Sequence, residues 1–143
     1  VGLGQIAPGV AAFQGAREAA VDVYATIERE PPINAMDDQG QKLQSVAGKM
    51  ELKDVVFAYP SRPNNIVCNG YNLSISVGET MALVGPSGSG KSTFMSLALR
   101  FYDPQSGSVE LDGVDIRSLN VKWYREQFGY VKQEPLLFAG TIR

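Results

Sequence analysis

Gly85-Pro86-Ser87-Gly88-Ser89-Gly90-Lys91-Ser92-Thr93 follows a short apolar run, 80–84, that reads as a buried strand, and leads into 92–100, which reads as a helix. The nine residues fit G-x-x-x-x-G-K-[ST] in full. Each residue type has a physical reason. Gly85, Gly88 and Gly90 let the backbone curl until successive N–H groups, those of Ser87 and Ser89 included, point inward at phosphate oxygens. The following helix directs its N-terminal N–H groups and its dipole at the same anion. Lys91 brings a mobile ammonium to the terminal phosphates. Ser92 offers Mg²⁺ a hard oxygen, and Thr93 adds a second hydroxyl near the phosphates. A Gly/Ser linker matching by chance would lack the flanking strand and helix. The loop therefore reads as a nucleoside triphosphate site, without separating a kinase from a GTPase or a transport motor.

Composition narrows the classes. Hydrophobic residues are 44% and charged residues 20% of the 143, the balance of a folded domain and not of a disordered tail. Thirteen Lys plus Arg against fifteen Asp plus Glu leave a net charge of -2, which argues against a nucleic-acid partner. Cys68 is the single cysteine, so an internal disulfide and a cysteine metal cluster are excluded. With no histidine, His-based acid–base catalysis and His-ligated zinc are excluded within this sequence. No apolar run approaches the roughly 18 residues that cross a bilayer.

Outward from the loop, the pattern alternates strand and helix. Residues 1–30 read as an amphipathic helix, with Ile6, Val10, Phe13, Ala20, Tyr24 and Ile27 on one stripe and Pro31-Pro32 as its stop. Residues 33–49 are polar and read as a linker. Residues 50–59 read as a strand, 60–65 as a turn, and 72–77 as a half-buried strand. Val109 and Leu111 begin another strand, closed by the tight-turn pair Asp112-Gly113. Residues 120–128 read as a helix with Asn120 as N-cap, and Tyr130-Val131 as the start of a further strand. Trp123, Tyr124 and Phe128 read as packing residues, as does Cys68. Asp112 and Asp115 read as turn carboxylates, because no third ligand stands at metal-site spacing. The chain opens at Val1 inside an apolar pattern and stops at Arg143 after a strand-like run, so it is read as a piece of something longer.

Four segments carry a family resemblance: Val56-Phe57-Ala58-Tyr59-Pro60-Ser61-Arg62-Pro63; the phosphate loop with Leu83-Val84 before it; Leu99-Arg100-Phe101-Tyr102-Asp103-Pro104 with Ser106-Gly107 and Leu111-Asp112-Gly113; and Gly129-Tyr130-Val131-Lys132-Gln133-Glu134-Pro135-Leu136-Leu137-Phe138-Ala139-Gly140-Thr141-Ile142. From about residue 50 to 143 the chain resembles the N-terminal half of the nucleotide-binding domain of ATP-binding cassette (ABC) transporters. The wording resembles B-type exporters of the multidrug-resistance/P-glycoprotein group. Residues 1–32, with Gln5-Ile6-Ala7-Pro8 and Ala16-Arg17-Glu18-Ala19-Ala20, look like the cytoplasmic extension of the last transmembrane helix in that group. Ala16-Arg17-Glu18-Ala19-Ala20 leans weakly towards the first cassette of a tandem protein.

The resemblance implies an α/β fold of P-loop NTPase type, incomplete here, with an N-terminal helix leading from a transmembrane domain through the linker into the cassette. It implies ATP and Mg²⁺ as ligands. Tyr59 would stack on adenine, a ring face being a tolerant platform. Gln133 would offer an amide oxygen to the metal and report it along the 132–141 loop, with Phe138 as an apolar contact. Lys91 and Gln133 would be the catalytic groups of this stretch, and Ser92 and Gln133 its metal contacts. Phe101 and Tyr102 would face the membrane part and be partly exposed, and Lys132 stands where a small polar residue is usual in the family. The family's Leu-Ser-Gly-Gly-Gln segment, catalytic glutamate and switch histidine are not in this sequence, so the chain alone is expected to bind ATP without hydrolysing it. The implied partners are a second nucleotide-binding domain, head to tail, the transmembrane domain and a transported substrate. The implied setting is a membrane, with this segment on the cytoplasmic side. A soluble ABC ATPase, or a nucleotide-binding regulatory module without transport, is the alternative.

Overall fold

A computed structural model describes residues 6–132 and residue 134. The chain divides into two units, Val1–Pro32 and Ile33–Arg143. The first carries helix α1, Ile6–Ile27. Its last turn is closed by Glu28 N–H donating to Tyr24 O at 2.8 Å, short of the Pro31-Pro32 block. Phe13, Tyr24 and Ile27 of the expected stripe are exposed, and so are Val21 and Val23 off it. No helix among the described residues is long and apolar enough to cross a membrane.

The second unit is built on a four-stranded antiparallel sheet: β1 (Met50–Ala58), β2 (Ile66–Ile75), β3 (Ser106–Leu111) and β4 (Val114–Asp115), in the order β2-β1-β3-β4. β1 pairs Leu52 with Leu73 on one side and with Val109 on the other. Period-2 alternation buries Met50 and Leu52; after a register shift at Asp54 (φ 47°) it buries Val55 and Phe57. Gly107 faces that shift, and a Cβ there would collide with the Lys53 and Asp54 carbonyl oxygens. The β3–β4 hairpin turns on Asp112 (φ 51°) and Gly113 (φ 82°), the left-handed pair that an Asp-Gly turn supplies.

Two helices, α2 (Lys91–Ala98) and α3 (Val121–Glu126), share the core with the sheet. Leu97, Val55 and Tyr124 are fully buried, and the Tyr124 hydroxyl donates to Ala98 O. Burial pushes the Tyr124 phenol well above its ordinary value. Arg125 donates to Leu99 O and Arg100 O, satisfying carbonyls just past the end of α2, and Arg100 donates to Ile116 O. Asn120 is the N-cap of α3, accepting from Trp123 N–H at 2.9 Å.

Residues 33–49 are more than a tether. Asn120 Nδ2 donates to Gln39 O at 2.8 Å and Asp37 O at 3.2 Å. Gln41 exchanges backbone bonds with Ser118 and Asn120. The Asp112 carboxylate accepts from the N–H groups of Ala47, Gly48 and Lys49. Leu43 and Val46 pack on the core. Two strand expectations fail. Residues 80–84 and 130–131 carry no strand pairing among the described residues, and Val84 is 93% and Val131 84% exposed. A strand needs a hydrogen-bonded neighbour, and no described segment supplies one.

Candidate nucleotide site

The phosphate loop leaves its glycines two different tasks. Gly88 (φ 81°) and Gly90 (φ 86°) are left-handed, and Gly90 is the N-cap of α2. Gly85 is needed for space, because a Cβ there would lie 2.8 Å from Ser89 Oγ. Ser89 N–H donates to Pro86 O at 3.3 Å and closes the turn. Lys91 folds back on the loop, with Nζ donating to Gly85 O and Pro86 O, each at 2.7 Å, and to Ser89 Oγ at 3.4 Å. The ammonium is thereby held at the loop, where an anion would meet it.

A pocket of about 570 Å³ opens between the loop and the β1–β2 turn. Ser87, Gly88, Gly90, Lys91, Ser92 and Thr93 line one part of it. Tyr59, Ser61, Arg62, Asn65 and Val67 line the other. Gly85 and Ser89 face a neighbouring cavity of about 250 Å³, together with Cys68 and Leu83. Burial pushes the Cys68 thiol up, consistent with a packing residue. No carboxylate lines the 570 Å³ pocket among the described residues, so its charged side chains, Lys91 and Arg62, are cationic. That field suits an anionic ligand.

Tyr59 is half-buried at the end of β1. Its ring meets Phe57 and Tyr102 edge-to-face, at centroid distances of 5.0 and 5.3 Å. Its hydroxyl shares a 3.0 Å hydrogen bond with Thr93 Oγ1. Thr93 is 4% exposed, and its hydroxyl, expected near the phosphates, meets the Tyr59 hydroxyl. Tyr102, expected to be partly exposed, is half-buried and packs against Tyr59, and Phe101 is 47% exposed. Asn65 and Val67 were not foreseen at the site. Asn65 N–H bonds Arg62 O, and Arg62 N–H bonds Tyr59 O, so a local turn carries Asn65 there, while Val67 comes from the start of β2. The turn residues were visible in the sequence, but not which side chains they aim.

No group of three or more His, Cys, Asp or Glu among the described residues is placed to hold a metal. Asp115 is engaged by Arg117 at 2.6 Å, and Asp112 by backbone N–H groups. Burial alone would raise the Asp112 carboxyl, but the donors at Lys49, Gly48 and Ala47 outweigh it and hold the group below its ordinary value. Ser92 is exposed in the first turn of α2, its hydroxyl a hard oxygen donor of the kind Mg²⁺ takes. Gln133, Phe138 and the rest of the expected sensor loop lie outside the described residues, Lys132 and Glu134 excepted.

A glycine loop with left-handed glycines, a helix starting at its lysine and a cationic pocket together define a P-loop nucleotide-binding site. The ABC transporter family matches residues 68–143, and the chain belongs to that family. It is 51% identical, over 99% of its length, to ABC transporter B family member 1 of Arabidopsis thaliana. It is 48% identical to ABC transporter B family member 21 of the same plant, and 49% to ABC multidrug transporter MDR1 of Cryptococcus neoformans, each again over 99% of the chain. It spans 11%, 11% and 10% of the length of these three relatives.

Proposed function

We propose that this chain is the ATP-binding stretch of a B-type exporter, in which ATP hydrolysis drives a substrate across a membrane. One observation carries the reading: the phosphate loop and an aromatic ring, Tyr59, face the same 570 Å³ cationic pocket. The relatives' printed names, transporters all, favour this over a soluble ABC ATPase or a regulatory module.

In this reading the loop N–H groups and Lys91 bind the β- and γ-phosphates, and Tyr59 offers its ring to adenine. Ser92 and Gln133 would hold Mg²⁺, which when bound neutralises phosphate charge. The hydroxyl of Ser92 in the pocket fits that duty, because a hard oxygen beside phosphate oxygens is the donor set the ion prefers. Residues 1–32 lead from the transmembrane domain, 33–49 join it to the cassette, and 50–143 form the cassette's N-terminal part. A second nucleotide-binding domain, docked head to tail, completes the site. The segment lies on the cytoplasmic side. This sequence holds no Leu-Ser-Gly-Gly-Gln segment and no histidine, so these 143 residues alone bind ATP without turning it over.

Equilibrium binding of Mg-ATP to the whole gene product, beside ATPase rates, tests the reading. Saturable binding that Lys91→Ala weakens at least about tenfold is expected. Equal binding by the parent and Lys91→Ala would overturn it.

A further inference from the structure

Asn69-Gly70 lies in the middle of β2, an edge strand of the sheet. The register pairs Phe57 with Cys68 and Val55 with Tyr71, so Asn69 and Gly70 together oppose a single residue of β1, Val56. Two residues against one make a bulge, and the ladder is interrupted there. Gly70 stands in the left-handed region, at φ 68°. Both residues are exposed, and a Cβ added to Gly70 would meet nothing within 4 Å. The other asparagines are placed differently. Asn120 is buried, and its amide is engaged by Trp123, Gln39 and Asp37. Asn72 is tied to Asp54, and Asn34 accepts from Met36 N–H. Asn64 and Asn65 are exposed, but Asn65 and Ile66 follow them, and a side chain there crowds the next backbone nitrogen.

We propose that Asn69 is a modification site: in the folded protein it deamidates spontaneously to aspartate and isoaspartate. The Gly70 nitrogen gives its proton to solvent base and attacks Asn69 Cγ. A C–N bond forms, the Cγ–Nδ2 bond breaks, and ammonia leaves with a proton from water. Glycine favours this closure, because no side chain crowds the attacking nitrogen. Water then opens the five-membered succinimide at either carbonyl. Opening at Cγ gives aspartate. Opening at the main-chain carbonyl gives isoaspartate, in which the chain runs through the former side chain. In sum one water is taken up and one ammonia is lost, and nothing is oxidised or reduced. Isoaspartate lengthens the main chain by one atom at the bulge, where pairing is already interrupted, so the flanking pairs are not forced apart. The new carboxylate stands one residue from Cys68, on the wall of the cavity that Gly85 and Ser89 also face. The step uses no nucleotide and holds whether or not the pocket binds one.

The test ages the whole gene product in neutral and in mildly alkaline buffer, then digests it. Mass spectrometry with fragmentation locates each exchange of NH for O. Methyl transfer from S-adenosylmethionine by an isoaspartate-specific carboxyl methyltransferase counts the isoaspartate. Asn69 should convert about tenfold faster, or more, than Asn64, Asn65 or Asn72. The rate should rise with pH, and isoaspartate should exceed aspartate. Asn69→Gln, an exposed substitution, should abolish the exchange at this position, because the longer side chain would have to close a six-membered ring. A guanidinium-unfolded sample gives the rate without the sheet, and the native protein should convert within about tenfold of it. A native protein that keeps Asn69 intact while the unfolded chain converts would overturn the proposal, by showing that β2 holds the pair out of reach. Conversion of Asn64 or Asn65 as fast as Asn69 would overturn it too, and so would methyl incorporation undiminished by Asn69→Gln.

Discussion

Lys91 has three N–H donors, and Gly85 O, Pro86 O and Ser89 Oγ receive them. Two of these contacts are short and go to carbonyls, so the cation is stored on the loop and not in solvent. An arriving triphosphate takes over an ammonium already within reach. One charge-assisted contact is worth about 1.5–3 kcal/mol. Lys91→Ala should therefore weaken Mg-ATP binding about tenfold to a hundredfold in equilibrium titration. Tyr59→Ala removes a stacking face worth about 1–3 kcal/mol and should cost a similar factor, while Tyr59→Trp keeps a face and binds more tightly than the alanine variant. The loop lysine and glycines were legible in the sequence, because each contact there demands a residue type at a fixed offset. The Thr93 partnership was not, because it joins residues 34 positions apart through a fold that no spacing announces.

At the scale of elements, two side chains turn residues 33–49 from a tether into part of the sheet unit. Asn120 performs two tasks at once: its Oδ1 caps α3 and its Nδ2 holds Gln39 O and Asp37 O. Only the cap was readable, from an Asn standing before a helical pattern. Asn120→Asp separates the tasks. The carboxylate still caps Trp123 N–H but faces two carbonyls without a donor. Faster hydrogen exchange at 39–42, with α3 protection retained, is the expected outcome. Asp112 is the second clasp. Its carboxyl is held below its ordinary value, so its stabilisation is complete above the unfolded-state value of 3.8 and fades as pH falls through the lowered folded-state value. Asp112→Asn should lower the urea midpoint near neutrality, by about 1 kcal/mol for exposed bonds of this kind. The gap between parent and variant should close in acid. A gap that persisted below the folded-state value would mean that turn geometry, and not charge, makes the clasp.

For the whole molecule, individual strands and one hairpin were legible, and the order of the sheet was not. Period-2 alternation and Asp112-Gly113 announce strands and a hairpin, because both are local signals. The order β2-β1-β3-β4 is a set of long-range pairings and has no local signature. Residues 80–84 have strand composition but no partner among the described residues, and a strand exists only as a relation between two segments. The consequence is physical: Val84 stands 93% exposed in an apolar run with its backbone unpaired, the kind of edge that recruits another chain. The 143 residues prepared alone should therefore self-associate, with light scattering that rises with concentration. Val84→Lys places a charge on that edge, where it disfavours edge-to-edge pairing. Since the side chain contacts so little, the substitution should leave the urea midpoint within about 0.5 kcal/mol of the parent and shift sedimentation towards the monomer. Unchanged association would move the sticky surface elsewhere, to the exposed Phe13 and Ile27 of α1. A large loss of stability would show that Val84 is packed in solution, and that the run 80–84 has found its partner within the chain.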